Sequence, residues 1–166
     1  MRLLFLVLAA SLARADDSPP VQRYLESLKL GDKLEHVKII YPPTRDWSRS
    51  REPRGVDRVL IQRGQAKYVP EAAESLTLDF KHGRLVRLEV LYDRAYSKKK
   101  PLERVVEDLS LDYGEPRRSG DSYFWWDSST VLVAAQTTVP DPKGNGEEVR
   151  TTLAVMDRSH FDPLKH

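Results

Sequence analysis

The amino-acid sequence predicts an α+β fold: a curved antiparallel β-sheet with short helices packed on one face, built from two related helix–meander halves. Apolar and polar residues alternate on both sides of Gly83 across Ser75–Tyr92, which predicts a β-hairpin. Leu102–Tyr113 instead spaces its apolar residues as one helical face. Strand patterns return after that helix, and elements in this order favour an antiparallel sheet covered by helices.

Residues 1–15 have the features of a secretory signal peptide. Arg2 supplies a positive charge, Leu3–Ala10 is an apolar run, and Ala13-Arg14-Ala15 is a small-x-small cleavage site. The run is shorter than the ~20 apolar residues that span a bilayer. Asp16 follows the cleavage site, where lipidation would need a cysteine. We therefore expect an exported protein, periplasmic or secreted, with no transmembrane segment and no lipid anchor.

The composition predicts one domain of neutral charge after residue 15. The chain has 27 Lys and Arg and 25 Asp and Glu, and removing Arg2 and Arg14 leaves 25 of each. This balance argues against nucleic-acid binding. The chain has no cysteine, which excludes disulfides and thiolate chemistry. We predict a single domain over residues 16–157, with halves of about 18–93 and 97–157, and a flexible tail at 158–166.

Two short helices are predicted ahead of the first strands. Ser18 caps the first helix, in which four apolar residues follow helical spacing until Gly31 stops it. Asp32 caps the second helix, with Glu35 three residues later in capping-box spacing, and Pro42 ends it. The apolar stripe of the first helix consists of Val21, Tyr24, Leu25 and Leu28.

The segment Thr44–Asp57 is polar and rich in arginine. Its acidic residues nearly balance the arginines, which is typical of a solvated loop. The alternative is a flexible loop that contacts another protein, with Trp47, Arg49 and Arg51 as the candidate contact residues. A short strand is predicted after this loop at Arg58–Gln62.

The turn of the central hairpin decides which residues share a face. A two-residue turn at His82-Gly83 would place Leu78 opposite Arg87 and mix polar with apolar side chains. A three-residue loop with Gly83 at positive φ places Leu78 opposite Val86 and keeps one face apolar. We therefore predict the longer loop, and an apolar face that packs against the helices.

One more helix and three strands are predicted in the second half. The lysine run Ser97–Lys100 precedes this helix, where the helix dipole disfavours cations, so we expect a solvated run. Pro101 opens the helix and Gly114 ends it. The strands are predicted at Tyr123–Trp126, Thr130–Val139 and Glu148–Met156.

Four consecutive aromatic residues, Tyr123–Trp126, place large side chains on both faces of one strand. A turn directly after this strand sets Trp126 opposite Val131, whose β-branched side chain suits a core packed by helices. We therefore predict that Trp126 lies in the core and that Tyr123 and Trp125 face outward as candidate protein contacts. Alternatively, both faces are covered and the whole cluster is core.

The sequence contains no recognisable catalytic or metal-binding motif. Its histidines are not spaced for metal ligation, and Asp127, beside the two tryptophans, is expected to order a turn. We therefore predict no catalytic, metal-binding or cofactor-binding residue and expect no cofactor. The histidines are His36, His82, His160 and His166.

A weak internal repeat and several short motifs accompany these patterns. Leu34-Glu35-His36-Val37 is echoed by Leu102-Glu103-Arg104-Val105, and a hairpin follows each helix. Further motif residues are Leu30-Gly31, Tyr113-Gly114-Glu115-Pro116, Trp125-Trp126 and Phe80-Lys81-His82-Gly83-Arg84-Leu85. Through these residues the chain resembles the small outer-membrane lipoprotein (SmpA/OmlA) domains and the related β-lactamase-inhibitor-like fold, although it lacks the lipidated cysteine. The resemblance implies this fold and a protein-binding habit rather than a reaction.

The expected function is that of a non-enzymatic envelope protein that binds, assembles or scaffolds other proteins through an exposed sheet face or the loops at its edge. The alternative is a carrier of a small apolar or anionic ligand lodged between sheet and helices, and a secreted enzyme of unknown class comes third. An apolar patch on the sheet would favour binding of a protein, whereas a deep closed pocket would favour a carrier.

Overall fold

The computed structural model describes residues 19–141, 144 and 146–161, so the predicted signal peptide at 1–15 lies outside the described residues. The described residues form ten strands, three α-helices and one 3-10 turn. The strands are β1 (Tyr24–Leu25), β2 (Leu28–Lys29), β3 (Ser48–Glu52), β4 (Val56–Gln62), β5 (Ala73–Lys81), β6 (Arg84–Tyr92), β7 (Arg117–Ser119), β8 (Ser122–Trp126), β9 (Thr130–Pro140) and β10 (Glu147–Asp157). The helices are α1 (Leu34–Ile40), α2 (Arg94–Lys99) and α3 (Leu102–Tyr113), and the 3-10 turn spans Pro53–Gly55.

Eight of the strands form one antiparallel sheet in the order β3-β4-β5-β6-β10-β9-β8-β7. Strands β3 to β6 form one meander and β7 to β10 form another, and the two meet where β6 pairs with β10. Helix α1 precedes the first meander, and α3 precedes the second. An antiparallel sheet with a few short helices confirms the predicted α+β class.

All three helices contribute to a core on one face of the sheet, which we call the helix-covered face. Val37 of α1 and Val105 of α3 are buried there, and Tyr96 of α2 packs against the same cluster. The side chains that point to the opposite side form the helix-free face, since side chains alternate along each strand. The strand residues of the core include Ile61, Leu76, Leu78, Leu88, Val90, Leu132 and Val155.

The central hairpin turns through two residues rather than three, so the predicted loop is wrong. His82 and Gly83 form the turn with φ values of 51° and 72°. A β-bulge then adds one residue, Val86, to β6. Because of this bulge, Leu78 lies opposite Leu88 and the apolar residues still share the helix-covered face.

The hairpin β1–β2 replaces the predicted first helix. Glu26 and the residue after it form its turn with φ values of 48° and 66°, and the hydroxyls of Tyr41 and Tyr92 donate hydrogen bonds to Glu26. Burial and the nearby Glu26 carboxylate raise the pKa of Tyr41 to about 12. Leu25 and Leu28 are buried in this hairpin, and they would share a face in a helix too. The spacing of these apolar residues therefore fits a hairpin as well as a helix and could not distinguish between them.

The helices begin differently from the prediction. Asp32, the predicted cap of α1, does not cap the helix, and its carboxylate accepts a hydrogen bond from the backbone N–H of Lys29. The N-cap residue is Lys33, whose side chain makes no capping hydrogen bond. Helix α2 was not predicted; Asp93 caps it, and two lysines of the predicted solvated run lie in its last turn. Those lysines therefore sit at a helix C-terminus, where the dipole favours cations.

The predicted loop Thr44–Asp57 contains the strand β3 and the 3-10 turn. Strand β3 forms one edge of the large sheet and carries Arg49 and Arg51, both exposed. Strand β7 forms the other edge and carries Arg117 and Arg118, also exposed. Both edges of the sheet are therefore short and basic.

Asp127 connects the turn before β9 to the beginning of the described chain. Its carboxylate accepts hydrogen bonds from the backbone N–H groups of Ser129, Thr130 and Val21. Partial burial raises the pKa of Asp127, but these hydrogen bonds outweigh that effect and hold the pKa below its usual value. The prediction that Asp127 orders this turn is confirmed.

The segment 158–166, predicted to be a flexible tail, begins with a hydrogen-bonded turn. The N–H of Arg158 donates to the carbonyl of Ser129, and the N–H of Phe161 donates to the carbonyl of Asp157. Arg158 therefore ties the chain after β10 to the turn between β8 and β9, and a turn hydrogen-bonded to Asp157 follows as far as residue 161.

Neighbouring residues of β5 allow a paired test of the two faces. Leu78 is fully buried in the core, whereas Thr77 points to the helix-free face and is only partly buried. Leu78→Ala should lower the free energy of unfolding by about 2–5 kcal/mol. Thr77→Ala should change it by less than about 1 kcal/mol. Urea denaturation measures both values, and equal losses would contradict the assigned faces.

Candidate functional site

The helix-free face consists of two chemically different halves. Its charged half lies on β4, β5 and β6, and its apolar half lies on β8, β9 and β10. The charged residues of the first half are Arg58, Asp79, Arg87 and Glu89. The apolar half consists of Phe124, Trp126, Val131, Val133, Ala154 and Met156.

One row of cross-strand neighbours runs through both halves. It reads Arg58, Asp79, Arg87, Met156, Val131 and Trp126, each residue directly opposite the next. Residues opposite each other in an antiparallel pair have their Cβ atoms about 5 Å apart. The charged and apolar halves therefore meet at the β6–β10 pair, where Arg87 stands beside Met156.

Asp79 is the centre of the charged half. It is only 1% exposed, and its carboxylate accepts hydrogen bonds from Nε and Nη2 of Arg58 at 2.7 Å and 3.0 Å. Nη1 of Arg87 approaches the same carboxylate from the other side at 3.4 Å. The hydrogen bond to Asp79 is the main cause that raises the pKa of Arg58. A buried carboxylate with a guanidinium group on each side has both charge and hydrogen-bonding capacity satisfied.

An open cavity of about 390 Å³ lies where the two halves meet. Phe124, Val131 and Met156 line it from the apolar half, and Arg58 and Asp79 line it from the charged half. In a flat sheet, five strand spacings would separate β4 from β8 by about 24 Å. Since residues of both strands line one cavity, the sheet curves toward its helix-free face.

The two adjacent tryptophans face opposite to the prediction. Trp125 is 3% exposed in the core of the helix-covered face, and its Nε1 donates a hydrogen bond to the carbonyl of Gly114 at 2.9 Å. Trp126 lies on the helix-free face in the apolar half. The prediction placed the helices over the β-branched Val131, but they cover the face that carries Leu132 instead.

The other predicted contact residues lie toward the two ends of the sheet. Tyr123 is half-buried and packs against the core. Trp47 is 8% exposed and donates a hydrogen bond from Nε1 to a backbone carbonyl at 3.0 Å. It is therefore a core residue and not a contact residue of a flexible loop, the role that the alternative interpretation of this segment gave it. Arg49 and Arg51 are exposed and line a separate cleft of about 570 Å³ beside α1. These residues do not form one site.

The chain matches no protein-family model, no curated protein and no solved structure. Function is therefore inferred from the chemistry of the site. Among the described residues, no helix combines the length and the apolar character that crossing a membrane requires. Those same residues include no group of three or more His, Cys, Asp or Glu that could hold a metal ion.

Sequence reasoning missed the charged half, although its residues alternate with core residues along β4, β5 and β6. Alternation with Leu78 and Phe80 places Asp79 on the polar face of the hairpin, and this local pattern gives no sign of an ion-pair partner. Its partner Arg58 is 21 residues away in the chain, and their contact depends on the pairing of β4 with β5. A strand-pairing argument that matched opposite charges across strands could have found it.

The ion network gives a direct stability prediction. Asp79→Ala should leave the guanidinium groups of Arg58 and Arg87 facing each other without a counter-charge. We expect the free energy of unfolding to fall by about 3 kcal/mol. This value is at the lower end of the range for breaking a buried ion pair, because both arginines keep some contact with water. Asp57→Ala is the matched control, since Asp57 is an exposed carboxylate on the adjacent position of β4. Thermal and urea unfolding should separate the two variants clearly; similar stabilities would contradict the central role of Asp79.

Proposed function

We propose that this protein is an exported, non-enzymatic binding module that holds another protein against its helix-free face. The observation that carries the proposal is the open cavity of about 390 Å³ between the apolar and charged halves. Protein interfaces typically combine an apolar centre, rich in aromatic residues, with a polar rim. The helix-free face offers this combination on a continuous surface of six strands.

The aromatic residues of the apolar half support binding of a macromolecule. Phe124 and Trp126 are only partly buried within the described chain, so each has surface left to bury in a complex. Aromatic side chains contribute large contact area while losing little rotamer entropy, which is why they are common in binding hot spots. The carrier alternative requires a closed pocket between sheet and helices. Apolar side chains of both form the core of that layer, and the space beside α1 is an open cleft rather than a closed pocket.

We also propose that the two meanders arose from a duplicated unit of one helix and four strands. Each meander follows a helix, and the two meet through their last strands, β6 and β10. Val37 and Val105 occupy equivalent places in the short sequence echo, and both are buried. The resemblance to the SmpA/OmlA domains and the β-lactamase-inhibitor-like fold remains a prediction.

Export is tested at the N-terminus of the purified protein. If residues 1–15 are a signal peptide, mass spectrometry of the periplasmic or secreted product should give a chain that begins at Asp16. Recovery of the uncleaved chain from the cytoplasm would contradict export. That result would not bear on the proposal that the helix-free face binds a protein, because this face lies wholly within the described residues.

Binding is tested by site-specific photo-crosslinking. A benzophenone amino acid in place of Trp126 should capture a discrete partner from an envelope extract. The same group in place of Leu111, which is 87% exposed on α3, should not. Unlabelled parent protein should compete for the crosslink, and the Trp126→Ala variant should compete poorly although it folds.

Folding of the competitor is checked by circular dichroism, with Trp125→Ala for comparison. Trp125→Ala leaves a cavity in the core and should lower the free energy of unfolding by about 3–5 kcal/mol. Trp126→Ala should lower it by less. Equal capture from the Trp126 and Leu111 positions would overturn the assignment of the binding face.

A further inference from the structure

The charges around the cavity of the helix-free face are not balanced. Its two carboxylates, Glu52 and Asp79, are both paired with Arg58, at 3.3 Å and 2.7 Å. Arg54 and Lys81 also line the cavity, and neither has an ion-pair partner in the part of the chain that the structure describes. The charge available to a ligand at this cavity is therefore positive.

The backbone keeps Arg54 beside the cavity. Arg54 and Gly55 take φ values of 66° and 70° in the 3-10 turn, and Pro53 precedes them with its fixed φ. A residue with a long side chain rarely adopts positive φ unless the surrounding structure imposes it. The backbone conformation of the turn between β3 and β4 therefore fixes the position of Arg54 in the cavity wall.

The opposite wall of the cavity is open and, apart from His160 in the turn after β10, apolar. Phe124, Val131 and Met156 line it from the sheet, and Phe161 lines it from the turn after β10. Pockets that enclose small molecules measure about 300–1,000 Å³ and bury most of the ligand surface. This cavity lies at the small end of that range and opens onto a sheet face, so it suits one anchoring side chain of a larger partner better than a free small molecule.

We propose that the cavity binds a partner segment in which a large apolar side chain is flanked by carboxylates. This inference rests on the proposed function and adds the chemistry of the partner. The apolar side chain packs on Phe124 and Met156, and the flanking carboxylates pair with Arg54 and Lys81. Charge pairs at the rim of an interface mainly accelerate association and select among partners.

Met156 provides a reporter inside the cavity. The chain has two methionines, Met1 and Met156, so a carbon-13 methyl label on methionine gives one signal from the cavity, which Met156→Leu identifies. The probe is the acetylated, amidated peptide Asp-Asp-Phe-Asp-Asp, titrated into the mature protein. We expect the Met156 signal to shift and to saturate as peptide is added. The affinity for the peptide should fall with added salt, because exposed ion pairs are screened.

Two control peptides separate the apolar and acidic requirements. In the first control peptide Asn replaces each Asp, and in the second Ala replaces Phe. Each should bind about tenfold more weakly, as expected when rim ion pairs or the anchoring side chain are lost.

Matched arginine and lysine variants place the charge effect at the cavity. Arg54→Gln with Lys81→Gln should weaken the acidic peptide about tenfold and remove most of its salt dependence. Arg49→Gln with Arg51→Gln removes the same charge from β3 outside this cavity and should leave binding unchanged. All four side chains lie outside the hydrophobic core, so circular dichroism and melting temperature should match the parent.

Each contrary result overturns the proposal. Equal binding of the Asp and Asn peptides, or no shift of Met156 by any peptide, removes the acidic partner chemistry. Displacement of the peptide by decanoate at lower concentration than by unlabelled peptide makes the cavity a small-molecule site. The crosslink from Trp126 is measured separately. If the peptide test fails but the Trp126 crosslink still forms, only the proposed partner chemistry is wrong. If the crosslink does not form either, the assignment of the binding face is wrong as well.

Discussion

The pairing of β6 with β10 is the constraint on which the rest of this structure depends. It joins the two meanders into one sheet, with Leu88 opposite Val155 and Val90 opposite Leu153. A slip of one residue in this pair would turn every side chain of one meander to the other face relative to its partner. The core and the helix-free face would then be mixed, and the helices could not cover a continuous apolar surface.

The same register creates the candidate site. Arg87 ends the charged half and Met156 begins the apolar half, and they are direct neighbours only because β6 and β10 pair as they do. The curvature of the sheet then brings β4 and β8 to one cavity. Neither half forms this cavity alone, so the site is a property of the complete sheet rather than of either meander.

Local patterns predicted the fold class, helix α3 and the main strands, because alternation and helical spacing report directly on which face of an element is buried. They failed where a distant contact overrides the local pattern. The turn at Glu26 is held by Tyr41 and Tyr92, which lie far along the chain. The orientation of Trp125 likewise depended on which face the helices cover. No local feature of the strand contains that information, and the cavity was missed for the same reason.

The two edges of the sheet carry the same sign of charge, which affects how copies of the protein meet. An open sheet exposes unpaired backbone groups on its outer strands, and another chain can extend the sheet there. Growth from copy to copy would bring Arg49 and Arg51 of β3 against Arg117 and Arg118 of β7 on the next molecule, or like edges against each other. Every such pairing sets arginine against arginine. Electrostatic repulsion therefore opposes fibre growth along the direction in which this sheet could otherwise continue without end.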